Sequence, residues 1–142
     1  MRTKNATRTA VASFLVDTSV LIDVLNAKGG RGGNLQDLVR QGHMLASCAV
    51  TVAEIYAGMH PEESQQTQAL LSRLRYYEIT PEVSQRAGRI KYDWARKGHS
   101  LSLADVLIAA TALHYGLTLI TDNVKHFPMP ELSVHAVPGG LQ

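Results

Sequence analysis

The stretch FLVDTSVLIDVL, Phe14 to Leu25, sets one carboxylate, Asp17, between an apolar run and a second apolar series. FLV reads as a short buried strand, while Val20, Leu21, Val24 and Leu25 recur at the spacing of one helix face. A strand running directly into a helix is the opening half of a βα unit, so the stretch predicts an α/β fold. Asp17 has an ordinary use at that junction, accepting bonds from the free N–H groups of the helix start. A second use arises only if other acids stand at equivalent junctions.

Outward from this stretch the alternation continues. The segment KGGRGG, Lys28 to Gly33, has four glycines among its last five residues and reads as a flexible hinge or lid. NLQDLVRQG reads as a helix with Asn34 as N-cap and Gly42 as its stop, and HMLAS as a second strand. TVAEIYAGM and EESQQTQALLSRLR are helical in pattern, and YYEIT is strand-like. PEVSQRAGRIKYDWARKG opens with Pro in the first turn and closes at Gly98, as a long helix does. SLADVLIAATALHYG is almost wholly apolar, which predicts a helix buried against a sheet. LTLIT and LSVHAV supply a fourth and a fifth strand. The predicted fold is therefore α/β in three layers, a central mostly parallel sheet of four or five strands flanked by helices.

The chain has 142 residues, 45% of them hydrophobic and 18% charged, which suits one domain with a single sheet-centred core. The expected division is a basic, flexible tail over residues 1–13 and a single domain over 14–142. No apolar run reaches the roughly 18 residues of a membrane span. Cys48 is the only cysteine, so internal disulfides and paired-thiol zinc sites are excluded, and a reducing, cytoplasmic setting is expected. The net charge of +2 does not announce a nucleic-acid binder. The basic residues Arg73, Arg75, Arg86, Arg89, Lys91, Arg96 and Lys97 do cluster, as a solvated face or as a nucleic-acid contact.

Acids recur at the other junctions. Glu54 lies one turn past the second strand, Asp105 in the first turn of the apolar helix, and Asp122 with Asn123 after LTLIT. TVAE and SLAD also fit a capping box with Thr51 and Ser102 as N-caps, so singly each acid reads as a cap. Together they mean more, because the carboxyl ends of parallel strands share one edge, where ligands collect. Converging carboxylates repel unless a cation neutralises them, and hard oxygen donors suit Mg2+ or Mn2+. Such an ion lowers the pKa of bound water and stabilises charge on phosphate, so phosphodiester hydrolysis is the fitting chemistry. Asp23, six residues past Asp17, falls on a different helical face and is expected in solvent. Arg31 reads as a solvated loop charge or as a phosphate ligand. No HExxH pattern occurs, and His126 is assigned to loop packing. Trp94, Tyr76 and Tyr77 are expected to be partly buried in the core.

VDTSVLIDVL, TVAEIYAGM, LSLADVLIAATAL and LITDNVKHF, in this order, resemble the four motifs of PIN-domain ribonucleases, especially the VapC toxins of toxin–antitoxin pairs. The resemblance runs from about residue 14 to residue 137. It implies that Asp17, Glu54 and Asp105 are the first three acids of a negatively charged pocket. Ser19 matches a small polar residue that helps hold the metal or its water, and Thr121 the threonine that opens the last motif. In that motif Asn123 occupies the position of the fourth family acid and Asp122 the variable one, so Asp122 either substitutes for it or points to solvent. The implied function is a Mg2+- or Mn2+-dependent endoribonuclease acting on structured RNA such as tRNA or rRNA. Its implied partners are a VapB-like antitoxin and a second copy in a homodimer. The alternatives are a non-catalytic PIN-fold module binding RNA or protein, and a phosphoryl-transfer domain. DTS lacks the second Asp that a haloacid-dehalogenase-like phosphatase needs two residues on.

Overall fold

The run Phe14 to Val16 is buried on both sides because it lies at the centre of a five-stranded sheet. A computed structural model describes residues 11–27 and 30–136. Its first strand, β1, is Ser13–Val16. Helix α1, Thr18–Leu25, follows after Asp17, then α2, Arg31–Arg40. Strand β2, Met44–Cys48, leads into α3, Ala49–Gly58. A 3-10 turn at Pro61–Glu63 precedes α4, Ser64–Leu71, and the short β3, Arg75–Tyr77. Two longer helices come next, α5, Pro81–Arg96, and α6, Leu103–Tyr115. The chain then makes β4, Thr118–Thr121, a 3-10 turn at Val124–His126, and β5, Val134–Ala136.

The strand order is β3-β2-β1-β4-β5, with every neighbouring pair parallel. Phe14 pairs with Leu45 on one side and Thr118 on the other, and Val16 with Ile120. Successive strand residues face opposite layers. Phe14, Val16 and Ile120 therefore pack with Val20, Leu21, Leu35 and Ile55 on one face. Leu15, Ala46 and Leu119 pack with Val83, Ala87, Val106 and Ile108 on the other. The expected three-layer arrangement is the one observed, with all five strands present. No helix among the described residues is long and apolar enough to cross a membrane.

Several expectations shift. Helix α2 starts at Arg31, not at Asn34, so Gly32 and Gly33 are helical and the hinge reading fails for residues 30–33. Lys28 and Gly29 lie outside the described residues, as do residues 1–10 of the predicted tail, while Ser13 already belongs to β1. Helix α4 stops at Leu71 rather than running to Arg75, which instead opens β3. Because β3 is an edge strand, Tyr76 is 52% exposed rather than buried. Trp94 and Tyr77 are packed against the core as expected.

Candidate active site

Parallel strands bring the ends of β1, β2 and β4 to one edge, and helices that return from it begin there. Asp17 stands at the end of the central strand, its N–H bonded to Ile120 O at 2.8 Å, which ties it to β4. It is the N-cap of α1, as expected for a strand-to-helix junction, and only 6% exposed. Oδ1 accepts the Thr18 N–H at 2.8 Å, and Oδ2 accepts the Thr121 hydroxyl at 2.7 Å. Thr121 Oγ1 also accepts the Asn123 N–H at 2.9 Å. One threonine thus fixes both the first carboxylate and the turn after β4.

Glu54 is held from α1, since Thr18 Oγ1 donates to its Oε1 at 2.6 Å. It does not cap α3. Cys48 is the N-cap there, and the Thr51 hydroxyl accepts the Cys48 N–H at 3.1 Å. Thr51 as N-cap is therefore corrected: the helix begins three residues early, which carries Glu54 beyond its first turn. Ser102 does cap α6, accepting the Asp105 N–H at 3.0 Å. The Asp105 carboxylate stands 3.6 Å from His126 Nδ1 instead. His126 is accordingly not a packing residue. Its ring is exposed and faces an acid, a placement that its position five residues past β4 could have suggested.

Asp17 senses the other two acids. Burial pushes the Asp17 carboxyl above its ordinary pKa; the Thr121 hydroxyl and the Thr18 N–H pull it back; the charges of Asp105 and Glu54 push it up again. Every donor here is a hard oxygen. Among the described residues no three Asp, Glu, His or Cys side chains stand close enough to hold a metal ion by themselves. Mg2+ fits such an open set, because it keeps several waters and takes one or two carboxylates.

The fourth junction differs from expectation. Asp122 neither points to solvent nor stands free as a ligand, since its Oδ1 accepts the Ser19 hydroxyl at 3.1 Å and its Oδ2 accepts Arg31 Nη2 at 2.7 Å. Arg31 Nε reaches Asp23 Oδ2 at 3.3 Å. Arg31 is thus no solvated loop charge: its side chain is 4% exposed, and Asp23 is its partner rather than a solvent-facing acid. The cause is electrostatic, because a buried guanidinium requires paired carboxylates. Among the described residues its buried Nη1 has no partner, and a stranded charged donor costs more than the roughly 1–3 kcal/mol of a neutral one. Sequence spacing gave no signal for this pairing, which joins residues 8 and 91 positions apart. Asn123 is exposed, with Nδ2 3.5 Å from Ser19 Oγ.

The family model described as PIN domain matches residues 14–128. Ribonuclease VapC10 of Mycobacterium tuberculosis is 37% identical over 128 residues, covering 89% of this chain and 96% of that protein. Among solved structures, VapBC2 from Rickettsia felis, bound to a DNA fragment from their promoter, superposes with a TM-score of 0.76 at 23% identity. That match covers 87% of this chain and 98% of the other. A toxin–antitoxin complex from Klebsiella pneumoniae gives a TM-score of 0.70 at 27% identity, covering 85% and 94%.

Proposed function

The chain belongs to the PIN domain family, and from that premise we propose that it is a Mg2+- or Mn2+-dependent endoribonuclease toxin neutralised by a VapB-like antitoxin. The observation that carries the reading is the placement of three acids from separate elements at one sheet edge: Asp17 capping α1, Glu54 of α3 bonded to Thr18 of that helix, and Asp105 in the first turn of α6. Relatives named VapC ribonucleases support the RNA-cleaving chemistry, and the Klebsiella pneumoniae complex supports the toxin–antitoxin pairing.

In this reading Asp17, Asp105 and Glu54 hold the ion, with Asn123 as a neutral oxygen donor beside them. The ion, when bound, polarises a water and stabilises charge building on the scissile phosphate. The chain's own part is orientation. Thr121 and the Thr18 N–H lock both oxygens of Asp17, and Thr18 Oγ1 fixes Glu54, so the carboxylates need not reorganise when substrate arrives. The Ser19 hydroxyl, its proton directed at Asp122, offers lone pairs toward Asn123 and the pocket. His126, exposed beside Asp105, adds positive charge for the RNA backbone when protonated. Structured RNA, such as tRNA or rRNA, is the proposed substrate. The antitoxin is proposed to set a basic side chain against the acidic pocket, competing with substrate and ion.

The test is Mg2+-dependent cleavage of tRNA and rRNA by the wild type and by Asp17→Asn and Asp105→Asn, with folding followed by circular dichroism. The variants are expected to be folded and inactive. Full activity in either folded variant sinks the assignment.

A further inference from the structure

At the pocket's rim one cation is already built into the chain. Gly30, in the left-handed conformation at φ 67°, turns the backbone so that Arg31 opens α2 with its side chain directed inward. The guanidinium is 4% exposed and bridges two acids from different elements, Asp23 of α1 at 3.3 Å and Asp122 after β4 at 2.7 Å. Both Asp122 oxygens are thereby engaged, one by Arg31 and one by Ser19. Among the described residues the buried Nη1 has no acceptor, so the guanidinium carries more donors than these partners use. Folding alone is served poorly by such a group, since an apolar side chain of that shape would leave no donor stranded.

We propose that Arg31 is an internal substitute for a second metal ion: it neutralises Asp122, withholds that carboxylate from the divalent cation, and restricts the pocket to a single ion on the Asp17 side. The proposal rests on the metal-nuclease reading above and specifies its metal count. Arg31, Asp122, Ser19 and Asn123 form one continuous chain of contacts, so Arg31 is a positioning residue that acts through the others. With Arg31 in place, Asp122 and Asp23 share one positive charge. Without it, Asp23 and Asp122 lose their shared cation, and Asp122, beside Ser19 and in reach of Asn123, presents oxygen donors to a second divalent cation.

The experiment counts Mn2+ by calorimetry and by the electron paramagnetic resonance signal of the unbound ion. The probes are the wild type, Arg31→Met, which keeps the stem and removes the charge, and Arg31→Met with Asp122→Asn. The expected stoichiometries are one ion, two ions and one ion. Two ions on the wild type, or one on folded Arg31→Met, overturns the proposal while leaving the nuclease reading intact. A wild type that binds no Mn2+ overturns the metal-pocket reading and the proposal with it. Should Arg31→Met fail to fold, Asp122→Asn alone decides. It is expected to bind one Mn2+ with a Kd within about 100-fold of the wild type, the range over which a supporting contact acts. A greater loss makes Asp122 a ligand and overturns the proposal.

Discussion

Thr121 is the residue on which the site's geometry turns, because its hydroxyl donates to Asp17 Oδ2 and accepts the Asn123 N–H. Thr121→Val keeps the shape of the side chain and removes both bonds. The Asn123 N–H then loses its acceptor, and Asp17 loses a group that pulls its pKa down. Urea denaturation should show a loss of about 1–3 kcal/mol. Mn2+ affinity should fall about 10–100-fold, as it does when a ligand loses its supporting bond. Asp17→Asn behaves oppositely in stability. The amide carries no charge for Asp105 and Glu54 to repel, so the metal-free variant should melt above the wild type while cleavage is lost. The sequence made the positions of Asp17 and Asp105 legible, because one ends a strand and the other opens a helix, whereas Glu54 lies beyond the first turn of α3. It hid the Asp23–Arg31–Asp122 pairing because nothing in helical or strand periodicity reports which side chains meet across elements.

At the scale of elements, helices with strong apolar faces and caps were readable to within a few residues. The start of α2 was not, since Gly32 and Gly33 are poor helix formers and their composition favours a loop. Tertiary contact overrides that preference: Arg31, anchored by two carboxylates, holds the first turn of the helix in place. The same reasoning predicts opposite outcomes for neighbouring glycines. A Cβ added at Gly32 or Gly33 meets nothing within 4 Å, so Ala at either should stabilise the protein by about 0.4–1 kcal/mol through the unfolded chain. Gly30 has equally open space but a φ of 67°, so Gly30→Ala should cost about 1–2 kcal/mol. Thermal melts of the three single variants check the sign at each position. Equal shifts at Gly30 and Gly32 would show that α2 does not begin where described.

For the molecule as a whole, the buried carboxylate couples metal, pH and folding. In the folded chain Asp17 holds its proton more tightly than in the unfolded chain, because burial and the charges of Asp105 and Glu54 disfavour the ionised form. The folded state therefore binds more protons over that interval. The stabilisation from a protonated Asp17 is complete below the unfolded value, about pH 4, and is lost as pH rises through the raised value. Metal-free protein should thus lose Asp17's contribution over that window, while Asp17→Asn shows no such component. Mn2+ reverses the balance, since an ion bound only by the folded, ionised site stabilises by RT ln(1 + [L]/Kd), about 2.7 kcal/mol at a hundred times Kd. Melting temperatures from pH 4 to 8, with chelator and with excess Mn2+, should converge at the acid end, where protons compete with the ion, and diverge as pH rises. A gap between the two curves that is constant with pH would place ion binding away from Asp17.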